Sequence, residues 1–146
     1  MPETPTQLFF TRFYRATKAL GKLLDEAVEA ELALDMREFM VLNCITKGAN
    51  YPSAIGKRLH ANKFAVTRLL QKLEDRGLVE RTIDQEDSRR VLLSNTAAGD
   101  QARKRAINAM QTRLEPIVAS LGRERGEQFL ETLELIAELA SQEVPA

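Results

Sequence analysis

The chain has one cysteine, one histidine and no tryptophan in 146 residues. A lone thiol, Cys44, closes no internal disulfide, and His60 stands outside any HExxH or CxxC context, so no metal-ligand set is expected. The same scarcity argues against an enzyme. There is no glycine-rich phosphate loop and no nucleophile in a recognisable motif, and a single imidazole leaves little general-base machinery; no cofactor is expected. No apolar run approaches the roughly 20 residues that span a bilayer. The chain also does not open with a basic stretch leading into such a run. A cytoplasmic protein with no membrane partner is therefore predicted.

An excess of charge of either sign is missing too, with 21 basic against 21 acidic residues, which argues against a general polyanion binder. The distribution is uneven, however. Residues 47–96 hold ten basic and six acidic side chains, an excess of four, so the two flanks together carry a deficit of four. A basic middle between acidic ends is the pattern of a localised nucleic-acid surface.

Within that middle, residues 62–77 (NKFAVTRLLQKLEDRG) read as one helix. At about 100° per residue, Val66, Leu69, Leu70 and Leu73 fall in one narrow apolar sector, the stripe of a helix packed on a core. The opposite sector holds Phe64, Thr67, Arg68, Gln71 and Lys72, a mixture of donors, positive charge and one ring. Asn62 is suited to cap the start and Gly77 to end the helix in a left-handed backbone. Residues 78–83 (LVERTI) and 91–94 (VLLS) follow as short strands around the polar loop DQEDSRR. A helix followed by a hairpin with a charged tip predicts a winged helix-turn-helix, whose reading helix enters the major groove of duplex DNA.

Upstream, Thr4-Pro5-Thr6-Gln7 is a capping box opening a long first helix. Phe10, Phe13, Thr17, Leu20, Leu24 and Val28 recur along it, with Leu8, Phe9 and Tyr14 adding apolar surface near its start. Three phenylalanines and a tyrosine within six residues fit packing against the chain's own core or, favoured by the length of the helix, against a second subunit. A second capping box, residues 35–38, opens a buried second helix through Ile45. Tyr51 is expected in a short strand, and Pro52 starts a third helix, SAIGKRL. His60-Ala61-Asn62 is then the turn into the reading helix. After the hairpin, Thr96 caps a fifth helix to about Leu121, solvated over QARKR, apolar in its second half and bent at Pro116. Gly122 precedes a last helix, residues 123–140, with Phe129, Leu130, Leu133 and Ile136 in its stripe. The expected fold is mainly α with a small β-hairpin wing: residues 34–96 form the winged helix-turn-helix, and residues 5–33 and 97–142 form helical dimerisation regions.

The segment AVTRLLQKLEDRGLVER, followed by DQEDSRRVLLSNTAAG, resembles the MarR family of transcriptional regulators. The family patterns are VTRLLDRLExxGLVxR, then DxxDxR in the wing and LTxxG after it. The resemblance implies a homodimer in which the first, fifth and sixth helices interlock. Phe9, Phe10, Phe13, Leu20, Ile117, Leu121, Phe129, Leu133 and Ile136 would lie at that interface. It also implies that Lys63, Thr67 and Arg68 contact bases or phosphates, that Arg89 enters the minor groove, and that Asp87 orients Arg89. Arg90 suits a phosphate, and Ser53 and His60 are weaker phosphate candidates. Family members respond to small aromatic or phenolic anions or to oxidants, so an aromatic or anionic effector is an implied partner.

Phe64 and Ala65 replace a common proline and threonine, His60 a common glycine, and Asn95 a leucine. An exposed Phe64 is suited to touch a thymine methyl. The implied function is a repressor of a pseudo-palindromic operator, relieved by a ligand. The alternatives are redox control through Cys44, read more simply as a buried thiol, and a helical adaptor that does not bind DNA.

Overall fold

The computed structural model describes residues 3–143. Six helices and one hairpin follow in the order α1 (Pro5–Leu32), α2 (Met36–Thr46), α3 (Pro52–Leu59), α4 (Lys63–Asp75), β1 (Val79–Ile83), β2 (Val91–Asn95), α5 (Ala97–Leu121) and α6 (Arg123–Glu143). This is the expected winged helix-turn-helix with long helices on both sides. The chain forms two compact units, one through Met110 and one from Gln111. Among the described residues no helix is long and apolar enough to cross a membrane.

The helix starts follow from local hydrogen bonding. Thr4 accepts the Gln7 N–H while the Gln7 side chain accepts the Thr4 N–H, and Asp35 and Glu38 repeat the exchange at α2. Asn62 accepts the Ala65 N–H at 2.9 Å, opening α4. Each cap satisfies donors that the first turn leaves without partners. The helix ends are set partly by arginines. Arg76 donates to the carbonyls of Leu32 and Ala33 at the end of α1, and Arg58 to those of Cys44 and Lys47 at the end of α2. These guanidiniums meet exposed carbonyls where the helix dipole is negative.

The first unit has one core. It gathers the last turns of α1 (Val28, Leu32), the apolar face of α2, Ile55 of α3, and Val66, Leu69, Leu70 and Leu73 of α4. Val79 and Leu93 of the hairpin and Ala102 and Ala106 of α5 complete it. The α4 stripe is thus buried as its periodicity predicts, and α2 is buried as expected.

Three expectations need correction. The first half of α5 is not solvated along its length: Gly99, Ala102 and Ala106 are buried, and Ile107 packs on the core beside them. Small side chains let this helix approach its neighbours closely, and an Ala/Gly stripe barely registers as apolar periodicity. Tyr51 is not in a strand; the sheet has two strands only. Asn50 accepts one bond from the Leu93 N–H at 2.7 Å, and Pro52 then turns the chain into α3. Leu78 lies outside β1, while Asn95 extends β2 by one residue.

Leu78 is instead part of the stop signal of α4. The Leu78 N–H reaches the Leu73 carbonyl and the Gly77 N–H that of Glu74, with Gly77 at φ +69°, a Schellman motif. The Leu78 carbonyl then accepts the Thr96 N–H, and Thr96 Oγ1 donates to the Gly77 carbonyl at 2.6 Å while accepting the Gly99 N–H. One knot of backbone therefore joins the end of α4, the root of the hairpin and the start of α5.

In the second unit, α6 has no buried residue. Phe129, Leu130, Leu133, Leu135 and Leu139 are exposed, as are Ile117 and Val118 of α5. Leu121 and Ile136 are half-buried.

Candidate nucleic-acid interface

The two faces of α4 separate cleanly. Lys63, Phe64, Thr67, Arg68, Gln71 and Lys72 are all exposed, opposite the four buried stripe residues. Their side chains are not equally available. Thr67 Oγ1 donates to the Lys63 carbonyl at 2.8 Å, and the Gln71 amide donates to Asp75 at 2.8 Å. Lys72 lies 3.4 Å from Glu38, which is 6% exposed and also serves the α2 cap. Lys72 therefore helps to seat α4 on α2. Lys63 and Arg68 have no intramolecular partner among the described residues and extend from the exposed face.

The turn into α4 is held by its backbone. His60 takes a left-handed conformation, φ +48°, as the C-cap of α3, and the Ala61 N–H bonds the Gly56 carbonyl. An exposed His60 in the position of a helix-ending glycine is a turn residue first. Ser53 sits in the first turn of α3, whose N-cap, Tyr51, makes no side-chain capping bond. The free N–H groups there and the exposed Ser53 hydroxyl suit a phosphate oxygen.

The wing pairs Val79 with Asn95 through to Ile83 with Val91. Its loop is ordered by two aspartates. Asp84 accepts the Glu86 N–H, and Asp87 Oδ1 accepts the Arg89 N–H at 3.1 Å. Asp87 thus holds the backbone of Arg89, whose guanidinium has no partner among the described residues.

Arg90 is engaged differently: its guanidinium stacks on the Tyr51 ring, 4.0 Å from the centroid, while the Tyr51 hydroxyl donates to Asp84 at 2.7 Å. This three-residue clamp ties the wing to the start of α3. No local pattern announces it, because Tyr51 lies 33 positions before Asp84 and further still from Arg90.

The clamp perturbs both of its titrating groups. The Tyr51 hydroxyl bond, followed by the Glu86 N–H, holds the Asp84 carboxyl below its usual range. The bond to Asp84, followed by burial and the carboxylate charge, pushes the Tyr51 phenol above its usual value. Asp84 therefore supports the fold above the ordinary carboxylate range, and that support goes as pH falls through its lowered pKa. Tyr51 supports the fold below the ordinary phenol range, and that support goes as pH rises through its raised pKa. In Asp84→Ala, phenolate absorbance is expected to appear at lower pH than in the parent protein. An unchanged alkaline titration curve would count against the clamp.

Cys44 is buried, and burial pushes its thiol up, opposed by the charges of Arg58 and Lys47. A thiol held protonated is a poor nucleophile, so the geometry does not favour redox chemistry there. Among the described residues no group of three acidic, histidine or cysteine side chains could hold a metal ion.

Fold and exposed surface together define a winged helix-turn-helix protein with an exposed cationic face on α4 and an arginine-tipped wing. Residues 34–91 match the model of the MarR family, in line with the resemblance seen in the motifs. A mutant of E. coli MarR complexed with operator DNA is 23% identical and superposes with a TM-score of 0.73, over 88% of this chain and 92% of that one. Wild-type apo MarR from E. coli is 22% identical, with a TM-score of 0.76 over 93% and 98% of the two chains. The regulator BldR from Sulfolobus solfataricus is also 22% identical, with a TM-score of 0.76 over 94% and 99%. At these identities the likeness establishes the fold. None of the curated proteins compared matches this chain.

Proposed function

We propose that this chain is a cytoplasmic DNA-binding transcriptional regulator that acts as a homodimer on a pseudo-palindromic operator, repressing until a small aromatic or anionic effector releases it. One observation carries the DNA-binding part. Arg58, Arg76, Arg81, Lys72 and Arg90 are engaged by the chain itself, whereas among the described residues Lys63 and Arg68 on α4 and Arg89 on the wing have no intramolecular partner. Those unpaired cations stand on the two elements that a winged helix-turn-helix brings to the major and minor grooves. The complex of E. coli MarR with operator DNA supports the same use of the fold.

The dimer rests on apolar surface that the chain leaves uncovered. Phe10 is 67% exposed, and Phe9, Phe13 and Tyr14 stand beside it on α1. Phe9 stacks on Phe13 and Phe10 on Tyr14, so each ring pair is pre-arranged but still faces water. Ile117, Phe129 and Leu133 add further exposed apolar area, which is more than isolated surface residues account for. Two copies are also needed for useful specificity, since one short helix reads few bases.

Selection of bound duplexes from a random pool is the decisive experiment. A two-fold symmetric consensus, bound with affinity that falls steeply as salt is added, is expected. A stable single-copy protein with no preference for duplex DNA would overturn the proposal.

A further inference from the structure

We infer that Phe64 is a specificity-determining residue that reads the C5-methyl group of a thymine, within about two base pairs of the base contacted by Arg68. The inference rests on the DNA-binding role proposed above and adds to it the identity of one base. Phe64 is 83% exposed, the largest fraction among the exposed large hydrophobic residues, and sits in the first turn of the reading helix. Among the described residues nothing covers its ring.

Its neighbours decide what can. Lys63 precedes it and Arg68 lies one turn on, both exposed and without partners among the described residues, so the ring is framed by positive charge and its counterpart must be an apolar group within an anionic surface. In the major groove the thymine C5-methyl is that group, and phenylalanine and the threonine methyl are side chains that contact it.

Thr67 fits the same purpose. Its hydroxyl proton is committed to the Lys63 carbonyl at 2.8 Å, so the hydroxyl can no longer donate to a base, and the methyl is its apolar contact group. Phe64 and Thr67 are three positions apart and share a helix face, giving a small apolar step beside Arg68. Side chains so spaced are ~5–6 Å apart at Cβ. Successive bases are ~3.4 Å apart along a strand, which sets the separation of one to two base pairs.

The test uses the whole protein and a duplex recovered by selection. Each thymine is replaced in turn by 2′-deoxyuridine, which removes the methyl and keeps the pairing. One thymine per half-site is expected to lose about fourfold in affinity on replacement, the equivalent of one buried methyl group. Phe64→Ala should weaken binding to the thymine duplex and bind the two duplexes equally, with Phe64→Leu intermediate and the circular dichroism of both variants unchanged.

Equal binding of the parent protein to every substituted duplex would overturn the inference while leaving the DNA-binding role intact, as would full methyl discrimination retained by Phe64→Ala. Failure of the parent to bind any selected duplex would overturn both.

Discussion

Gly99→Ala is expected to destabilise the fold by about 3 kcal/mol, the upper end of what overpacking usually costs. A methyl group at Gly99 would be driven into the Leu78 carbonyl oxygen and carbon, well inside contact distance. The obstacle is backbone, and it cannot move aside. Its carbonyl accepts the Thr96 N–H, its own N–H is spent on Leu73, and Thr96 bridges to Gly77. The strain therefore spreads to the end of α4 and the root of the wing.

Gly21, mid-helix in α1 with nothing near the added methyl, is the control. There the same substitution should stabilise by about 0.5–1 kcal/mol, because alanine loses less conformational freedom than glycine in a helix. Denaturant unfolding of the two variants gives both signs in one experiment. A Gly99→Ala protein as stable as its parent would show that the approach of α5 to Leu78 is looser than described.

The second large effect concerns affinity. Arg68→Ala is expected to cost about 1–3 kcal/mol in duplex binding and to relax preference at one position per half-site. Arg89→Ala should weaken binding chiefly to sites with a narrow minor groove, whose negative potential attracts a guanidinium. Neither residue has a side-chain partner among the described residues, so neither variant should lose stability. Arg76→Ala provides the contrast. It removes the donors to Leu32 and Ala33 and should lower stability with little direct effect on base preference. If the Arg68 and Arg89 variants both bind like the parent, the reading surface is misplaced.

What could be read from sequence was what short-range chemistry encodes. The capping boxes at Thr4 and Asp35 need only four consecutive residues, and the α4 stripe needs one helical period. The wing loop was legible because Asp, Gln, Glu and Ser interrupt two runs of strand-forming residues.

The rest depends on residues far along the chain. Tyr51 reads as a strand residue because its contacts to Asp84 and Arg90 are tertiary. The pairing of Lys72 with Glu38 is invisible from within α4. Gly99, Ala102 and Ala106 face the core because they are small, and size alone gives no amphipathic signal. Asn95, a departure from the family pattern, donates to the Leu42 carbonyl and Thr46 Oγ1 at 2.9 and 3.0 Å, so here a polar residue ties the hairpin to α2.

The two ion pairs made by Lys72 and Arg81 have a thermodynamic corollary in solution. Ten cations occupy residues 47–96, but Lys72 and Arg81 are paired with the carboxylates of Glu38 and Glu74, leaving eight as counterion substitutes. Each phosphate neutralised on B-DNA contributes about 0.9 to the slope of log affinity against log salt. The ionic-strength exponent of each bound copy is therefore expected not to exceed about seven, against about nine if all ten were available.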